Sequence, residues 1–289
     1  MIKILITGHR GFIGQELCRK LKNTDIKFDG YDLKDGQDIR SREKLNYIMS
    51  MGNYDMVVHL AALAGVRRSE KFYREYIETN VTGTKNIIEA CQECGIKGIM
   101  FFSSSSVLGS CLKEKGHKED DRYDAKSLYA ITKMAGEAMI KNSELEYMII
   151  RPFTVYGPEA RPDMLIYKWI NKIREGKPIE MYGDGRSSRG YTFVGDLTDA
   201  VIKLIRLNAK EAQRTTVHLG GSEVITLKMV FDIFQNTAKK KIEWIQREMP
   251  KEDVMYSFAD TGYAKRLIGF NPPKRFKKTL KAIIAREKI

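Results

Sequence analysis

The sequence predicts a doubly wound parallel α/β sheet with a smaller, discontinuous C-terminal lobe. Three observations predict it. A nearly continuous apolar run at residues 2–7 (IKILIT) leads into Gly8, Gly11 and Gly14 and then into helical spacing at 12–21. Further strand candidates at 26–32, 56–60, 99–103 and 147–151 alternate with helical stretches at 42–51, 71–94 and 127–141. After Pro152 the pattern gives way to segments punctuated by Pro and Gly. Short apolar runs separated by helices are the pattern of strands buried on both faces and joined by right-handed crossovers.

The second lobe predicts a helix at 164–175, a strand–helix pair at 191–194 and 196–206, a strand at 218–219 and helices at 227–235 and 261–268. Some of these elements are expected to return to the first sheet. The expected division is a dinucleotide domain at 1–155, with returning segments near 186–220, and a lobe formed mainly by 156–289.

Composition narrows the class. The chain has 289 residues, 43% of them hydrophobic, which suits a packed globular protein. No apolar run approaches the ~18 residues of a membrane-spanning helix. The first residues read directly as a strand running into a loop, leaving no room for a signal peptide, so a cytoplasmic enzyme without membrane insertion is expected. Cys18, Cys91, Cys94 and Cys111 are too few for a disulfide framework in a chain this long. Cys91 and Cys94 form one C-x-x-C without a second pair, and His9, His59, His117 and His218 are scattered, so no metal site is expected. The net charge is +13, with the excess concentrated at 239–241 and 274–288. A basic balance favours anionic partners. No nucleic-acid module accompanies these lysines, and no nucleic-acid partner is expected.

The spacing G-x-x-G-x-x-G between a strand and a helix makes the predicted sheet Rossmann-like. Glycine is needed where the backbone takes positive φ and where a diphosphate approaches the chain. The helix start then offers free N–H groups and the positive end of its dipole. Asp32 closes the second strand, where a carboxylate accepts hydrogen bonds from ribose hydroxyls and repels a 2′-phosphate. That favours NAD over NADP, with Arg10 inside the loop as a weaker argument for NADP.

Tyr129 and Lys133 form Y-x-x-x-K. Positions i and i+4 share a helix face. A tyrosine of pKa about 10 is a poor base at neutral pH until a nearby ammonium favours its phenolate. The serine run 103–106 follows the fourth strand, at the sheet end where ligands bind.

Together these residues resemble the extended short-chain dehydrogenase/reductase superfamily, in its NAD-dependent nucleotide-sugar epimerase/dehydratase group. The likeness rests on TGHRGFIG at 7–14, HLAA at 59–62, NVTGTKN at 80–86, FSSSSVLG at 102–109, YAITK at 129–133, RPFTVYGP at 151–158, GDGRSSRGYTFVGD at 183–196 and DVMYSFADT at 253–261. It covers essentially the whole chain. Within the group, AGVRRS at 64–69 and RPFTVYGPEARPDM at 151–164 are most similar to UDP-glucuronate 4-epimerases.

The resemblance implies a reaction and assigns roles. Tyr129 takes the sugar 4-hydroxyl proton, hydride leaves C4 for tightly bound NAD, the 4-keto sugar turns over, and hydride returns to the opposite face. Lys133 binds the nicotinamide ribose and tunes Tyr129, and Ser104 hydrogen-bonds the 4-hydroxyl. Gly8, Gly11, Phe12, Ile13 and Gly14 take the diphosphate of NAD, with Asp32 on the ribose. Asp38 and Ile39 lie at the adenine, and Ala61, Ala62 and Asn80 near the cofactor. Arg189 holds the nucleotide diphosphate of the substrate and Asp253 its uridine ribose. Ser105, Ser106, Thr154 and Arg161 hold the uronate carboxylate. A homodimer through the helices of 71–94 and 127–141 is implied as well.

The chain departs from the pattern at Leu108, where tyrosine is usual, at Gly190, where aspartate is usual, and at Lys251-Glu252-Asp253 in place of P-G-D. Ser105 and Ser106 stand where dehydratases carry Asp-Glu and where decarboxylases carry a glutamate, which favours epimerisation. The other readings are 4-epimerisation of UDP-glucose or of a UDP-N-acetylhexosamine, UDP-glucuronate decarboxylation, and a non-catalytic dinucleotide-sensing or RNA-binding protein on the same fold.

Overall fold

In the computed structural model, residues 1–208, 214–238 and 241–289 are described. Of the lysine cluster at 239–241, the first two residues lie outside the described residues. The first half alternates as predicted: β1 (Lys3–Thr7), α1 (Phe12–Leu21), β2 (Lys27–Tyr31), α2 (Arg42–Gly52) and β3 (Met56–His59). Two short helices follow, α3 (Val66–Ser69) and α4 (Tyr73–Tyr76), then α5 (Gly83–Glu93), β4 (Gly98–Phe102), α6 (Leu128–Lys141) and β5 (Glu146–Pro152). The second half contains β6 (Val155–Tyr156), α7 (Leu165–Arg174), β7 (Ile179–Tyr182), β8 (Ser188–Gly190), β9 (Thr192–Phe193) and α8 (Val194–Asn208). It ends with β10 (Thr215–Leu219), β11 (Val224–Thr226), α9 (Leu227–Gln235), β12 (Trp244–Arg247), β13 (Tyr256–Ser257), α10 (Gly262–Ile268) and α11 (Phe276–Arg286).

Six strands form one parallel sheet in the order β10-β5-β4-β3-β1-β2. Side chains alternate between its faces, as period-2 geometry requires. Ile4, Ile6, Met56, Val58, Met100, Phe102, Met148, Ile150, Val217 and Leu219 share one face with Leu17 and Leu21 of α1 and with Leu197, Val201, Leu204 and Ile205 of α8. Leu5, Val57, Ile99, Phe101 and Ile149 face the other way, against α2, α5 and α6. The inner strands β1, β3, β4 and β5 therefore have two buried faces, which is why the sequence shows apolar runs there and not alternation, whereas the edge strand β2 keeps Lys27 and Asp29 exposed.

The order reverses between β1 and β3, the switch point at which open α/β sheets bind ligands. Thr7 is level with Tyr31 on one side and His59 on the other, so the loops carrying Gly8, Asp32 and Leu60 leave one edge together.

A separate core of α7, α9 and α11 around Trp169, Ile170, Phe234 and Phe276 underlies the C-terminal lobe, with the pairs β12–β7 and β11–β8–β13 beside it. Trp244 lies on the short strand β12 and is half exposed, edge-on to Phe231.

The helix expected at 71–94 runs from 73 to 93 and is widened in its middle: between α4 and α5 lies a π-helical turn, Ile77–Thr82, containing the buried Asn80. The wider turn lets the Asn80 amide reach inward. Its Oδ1 accepts from Leu63 N (2.8 Å), and its Nδ2 donates to Leu63 O (2.9 Å) and Thr132 Oγ1 (3.0 Å). Such turns often sit at functional sites.

Helix α6 is fixed by a buried ion pair. Arg151 donates from Nε and Nη2 to the two Glu137 oxygens at 2.9 and 2.7 Å, and both side chains are essentially inaccessible. Ser103 Oγ and Tyr123 OH also donate to Glu137, and Arg151 Nη1 reaches Glu119 O and His218 Nε2. The His218 Nδ1–H then donates to His117 O at 3.1 Å, so the ring is neutral, and burial lowers its pKa to about 4.

Arg151→Met leaves Glu137 buried without its cation and is expected to cost about 3–5 kcal/mol in urea unfolding, with most of it recovered in the double variant Arg151→Met/Glu137→Leu. A single variant as stable as wild type refutes this account.

Candidate active site

Gly8 has φ +73°, and a Cβ there would lie 2.6 Å from Ala61 N. A Cβ on Gly14 would lie 2.4 Å from Gly8 O. The first turn of α1 therefore packs directly on the loops after β1 and β3. Gly11 begins α1 without any side-chain cap, so the N–H groups at Phe12 and Ile13 point out unblocked by a side chain. Asp32 is buried and accepts from Arg10 N and Lys34 N, both at 2.9 Å, one on each oxygen. Each oxygen retains a further lone pair.

Asp38 lines a surface cavity of about 410 Å³ with Arg40, Ser41, Glu78 and Thr82. Ile39 is buried beneath it, against Gly83 of α5. Ala61 and Ala62 lie in the loop that Asn80 fastens. Ala61 N donates to Thr7 Oγ1 (3.3 Å), which also pairs with His59 Nδ1 (2.7 Å). Asn80 is thus committed to protein partners at both ends of its amide and acts on this site by holding the loop.

An uncapped helix start, a backbone cradle that a Cβ would fill and a carboxylate with spare lone pairs fit a dinucleotide. The neighbouring cavity is large enough to take one end of it.

Helix α6 presents Tyr129 and Lys133. Its first turn is capped three times: Ser127 Oγ accepts from Ala130 N, Ser69 Oγ from Tyr129 N and Glu70 Oε1 from Leu128 N. Two of these caps come from the end of α3 and the residue after it, and Tyr76 OH also ties the start of this segment through Ala64 O (2.8 Å). The Tyr76 ring stands edge-on to Tyr129, 6.4 Å between centroids.

Burial raises the Tyr129 pKa, while hydrogen bonding with Ser104 and the charge of Arg161 oppose that rise. Lys133 is buried with Nζ 4.7 Å from the centre of the Phe101 ring. Burial lowers its pKa to about 7, and Glu137 one turn on acts the other way. Ser104 begins the 3-10 turn Ser105–Leu108, with its Oγ accepting from Ser106 N and donating to Ser106 Oγ (3.0 Å).

Ser105, Ser106, Thr154, Arg189 and Asp253 line one cavity of about 180 Å³ between the sheet and the C-terminal lobe. Arg161 does not line it. Arg161 stands near Tyr129 and Tyr76 and donates from Nε and Nη2 to Asp163 at 2.9 and 3.1 Å. Arg189 donates to Ser188 O (2.9 Å) and Met255 O (3.2 Å), and no carboxylate pairs with it among the described residues. Its burial lowers its pKa, so an anion beside it would be welcome.

Sequence reasoning did not single out three contributors. Arg67 bridges the halves, donating to Asp253 Oδ2 (2.7 Å) and lying over the Tyr182 ring at 4.1 Å. Lys126 lines the 180 Å³ cavity. Glu137 fixes α6. Arg67 lies within the motif AGVRRS, which marked the loop but not the contact.

The fold and these side chains define a dinucleotide-dependent enzyme of the short-chain dehydrogenase/reductase type. More narrowly, the chain belongs to the NAD dependent epimerase/dehydratase family, whose profile matches residues 4–220. The UDP-glucuronate 4-epimerase of Thermodesulfobacterium geofontis is 30% identical over 97% of this chain and 94% of its own. The structure of UDP-glucuronic acid 4-epimerase from Bacillus cereus with UDP-glucuronic acid and NAD superposes with a TM-score of 0.89, at 28% identity over 99% of each chain. MoeE5 in complex with UDP-glucose and NAD superposes with 0.85, at 30% identity over 98% of this chain and 99% of its own.

The Lys133 shift carries a stability consequence. Its ammonium persists to about pH 10.4 in an unfolded chain, whereas in the fold it is lost near pH 7. Between those values the unfolded state binds more protons, so this group's contribution to stability rises with pH. Lys133→Met is expected to melt above wild type near pH 6–7 without cofactor, with the gap closing towards pH 10. Melting curves across that range check it, and a constant gap contradicts it.

Proposed function

We propose that this protein is an NAD-dependent UDP-sugar 4-epimerase, acting on UDP-glucuronate to give UDP-galacturonate. The observation that carries the reading is the placement of Ser104, Tyr129 and Arg161 around one centre, next to a cavity rich in hydroxyls and lined by Arg189. In this reading residues 1–155, with segments near 186–220, hold NAD, and 156–289 mainly hold the nucleotide sugar.

Gly8, Gly11, Phe12, Ile13 and Gly14 would cradle the NAD diphosphate, with Asp32 on a ribose, Asp38 and Ile39 at the adenine, and Ala61 and Ala62 alongside, on the loop that Asn80 secures. When bound, NAD accepts hydride from sugar C4 and returns it to the other face. Tyr129 takes the proton from the 4-hydroxyl oxygen and later gives it back. Ser104 orients that oxygen. Lys133, raised towards its charged form when it meets ribose oxygens, favours the Tyr129 phenolate. Arg189 holds the diphosphate of the substrate and Asp253 its ribose.

A 4-keto uronate is a β-keto acid. It loses CO₂ when its C5–C6 bond aligns with the carbonyl π system. Ser105, Ser106 and Thr154 would bind the carboxylate with hydroxyl donors, and Arg161 with its Nη1/Nη2 edge, since Asp163 occupies the Nε/Nη2 edge. Holding the carboxylate keeps that bond out of alignment. Neutral UDP-hexoses are the second reading: Asp163 already satisfies much of Arg161, and MoeE5 was solved with UDP-glucose.

We infer a homodimer in the cytoplasm. Phe72, Tyr73, Ile77 and Ile131 leave an exposed apolar strip along α4, the π-helical turn and α6, which suits a second copy. No helix among the described residues is long and apolar enough to cross a membrane.

Proton NMR of the sugar anomeric signals, with UDP-glucuronate and no added reductant, is expected to show UDP-galacturonate. An unchanged spectrum from folded, NAD-loaded protein overturns the reading. Tyr129→Phe should lower turnover by about a hundred- to ten-thousand-fold with melting unchanged. Asp163→Asn frees the side-on edge of Arg161 and should raise KM for UDP-glucuronate more than it lowers kcat. A pure kcat loss would place Asp163 elsewhere in the mechanism.

A further inference from the structure

Lys126 is not accounted for by the roles above, and it lines the same cavity as Ser105, Ser106, Thr154 and Arg189. We propose that Lys126 is a specificity-determining residue that supplies a positive charge to the substrate's sugar carboxylate. This rests on the proposed site but not on its turnover.

Three observations support it. The first is placement. Lys126 directly precedes Ser127, whose Oγ caps α6 by accepting from Ala130 N at 3.2 Å, so its backbone is anchored three residues from Tyr129. The walls it shares with Ser105 and Ser106 adjoin Ser104. With the sugar ring at Ser104 and Tyr129, as the proposed function has it, the wall that carries Lys126 would lie on the sugar's side of the cavity. Arg189 and Asp253, which would take the diphosphate and the ribose, come from the C-terminal half.

The second is the present partner. Lys126 Nζ pairs with Asp124 Oδ1 at 2.6 Å, and both side chains are about half exposed. Exposed pairs contribute little, so exchanging Asp124 for a substrate carboxylate costs little.

The third is charge balance. The cavity also carries Glu252 and Asp253. Asp253 is paired with Arg67, which leaves Glu252 with no ion pair among the described residues. A uronate entering beside an unpaired carboxylate is repelled unless a cation stands close. Hydroxyls at Ser105, Ser106 and Thr154 supply hydrogen bonds without charge. A lysine there discriminates a uronate from a neutral hexose, because only the uronate has an anion to offer.

The test is calorimetric binding of UDP-glucuronate and of UDP-glucose to the NAD-loaded protein, as wild type, Lys126→Met and Lys126→Arg. Lys126→Met is expected to weaken UDP-glucuronate about tenfold more than UDP-glucose, as for loss of one charge-assisted contact. Lys126→Arg should keep most of the preference. Equal weakening of both ligands would place Lys126 on the diphosphate and overturn the proposal, as would no change in either. Wild-type turnover is assayed separately: protein that shows the Lys126-dependent preference but does not epimerise UDP-glucuronate overturns the epimerase reading and leaves this assignment standing.

Discussion

The pairing of Glu137 with Arg151 places two full charges where water does not reach, and much of the site is arranged around that constraint. Glu137 lies on the helix that carries Tyr129 and Lys133, and Arg151 lies on β5. Two parallel N–H···O contacts fix direction as well as distance, so α6 cannot slide or rotate without stranding a buried charge. Ser103 and Tyr123 fill remaining acceptor sites on the carboxylate, and Glu119 and His218 take the remaining side of the guanidinium. The network therefore spans β4, α6, β5 and β10. It also sets the electrostatics of Lys133, whose buried ammonium has Glu137 as its opposing charge. An apolar substitute of equal volume could pack there, but it would leave Lys133 without that charge.

Backbone approach is the second constraint. Gly8, Gly14 and the Ala61 loop come within distances that no Cβ permits, and Asn80 with the Thr7–His59–Thr84 chain keeps the loop in place from behind. His59 bridges two hydroxyls as a neutral ring, and burial with the nearby Lys133 lowers its pKa to about 3. The site is thus braced where the cofactor would fit. Where the substrate would fit, contacts come from short loops and from the smaller lobe, bridged by Arg67 to Asp253.

The sheet, its order of elements and the glycine loop could be read from the chain because they depend on local pattern: doubly buried strands show as apolar runs, and positive φ demands glycine. The π-helical turn could not. Residues 71–94 keep helical spacing, and the extra residue in the turn is selected by what Asn80 must reach, a contact 17 residues away in sequence. The short strands β7, β11, β12 and β13 escaped for a related reason, since two to four residues carry too little periodicity to register. The pairing of Glu137 with Arg151 was not legible either, since nothing local in the helix or the strand marks two charges 14 residues apart as partners in the core. Tyr129, Lys133 and the serines were readable as a set because their residue types are chemically specific, but Arg161 and the cavity serines proved to lie in adjoining, not identical, spaces.

The cations around the site differ in how firmly they are already committed. Arg67 is locked to Asp253 and stacked on Tyr182. Arg161 gives one edge to Asp163 and keeps the other. Among the described residues Arg189 donates to two carbonyls and makes no ion pair, with the Asp253 carboxylate acting on it from farther off. A ligand carrying several negative charges meets these in an order set by that commitment. In the proposed reading Arg189 would provide the longer-range attraction, whereas Arg161, paired with Asp163, would act on contact through geometry. In that reading charge at Arg189 and Lys126 and geometry at Arg161 would act together, which would let a strongly basic chain discriminate among anions instead of binding all of them alike.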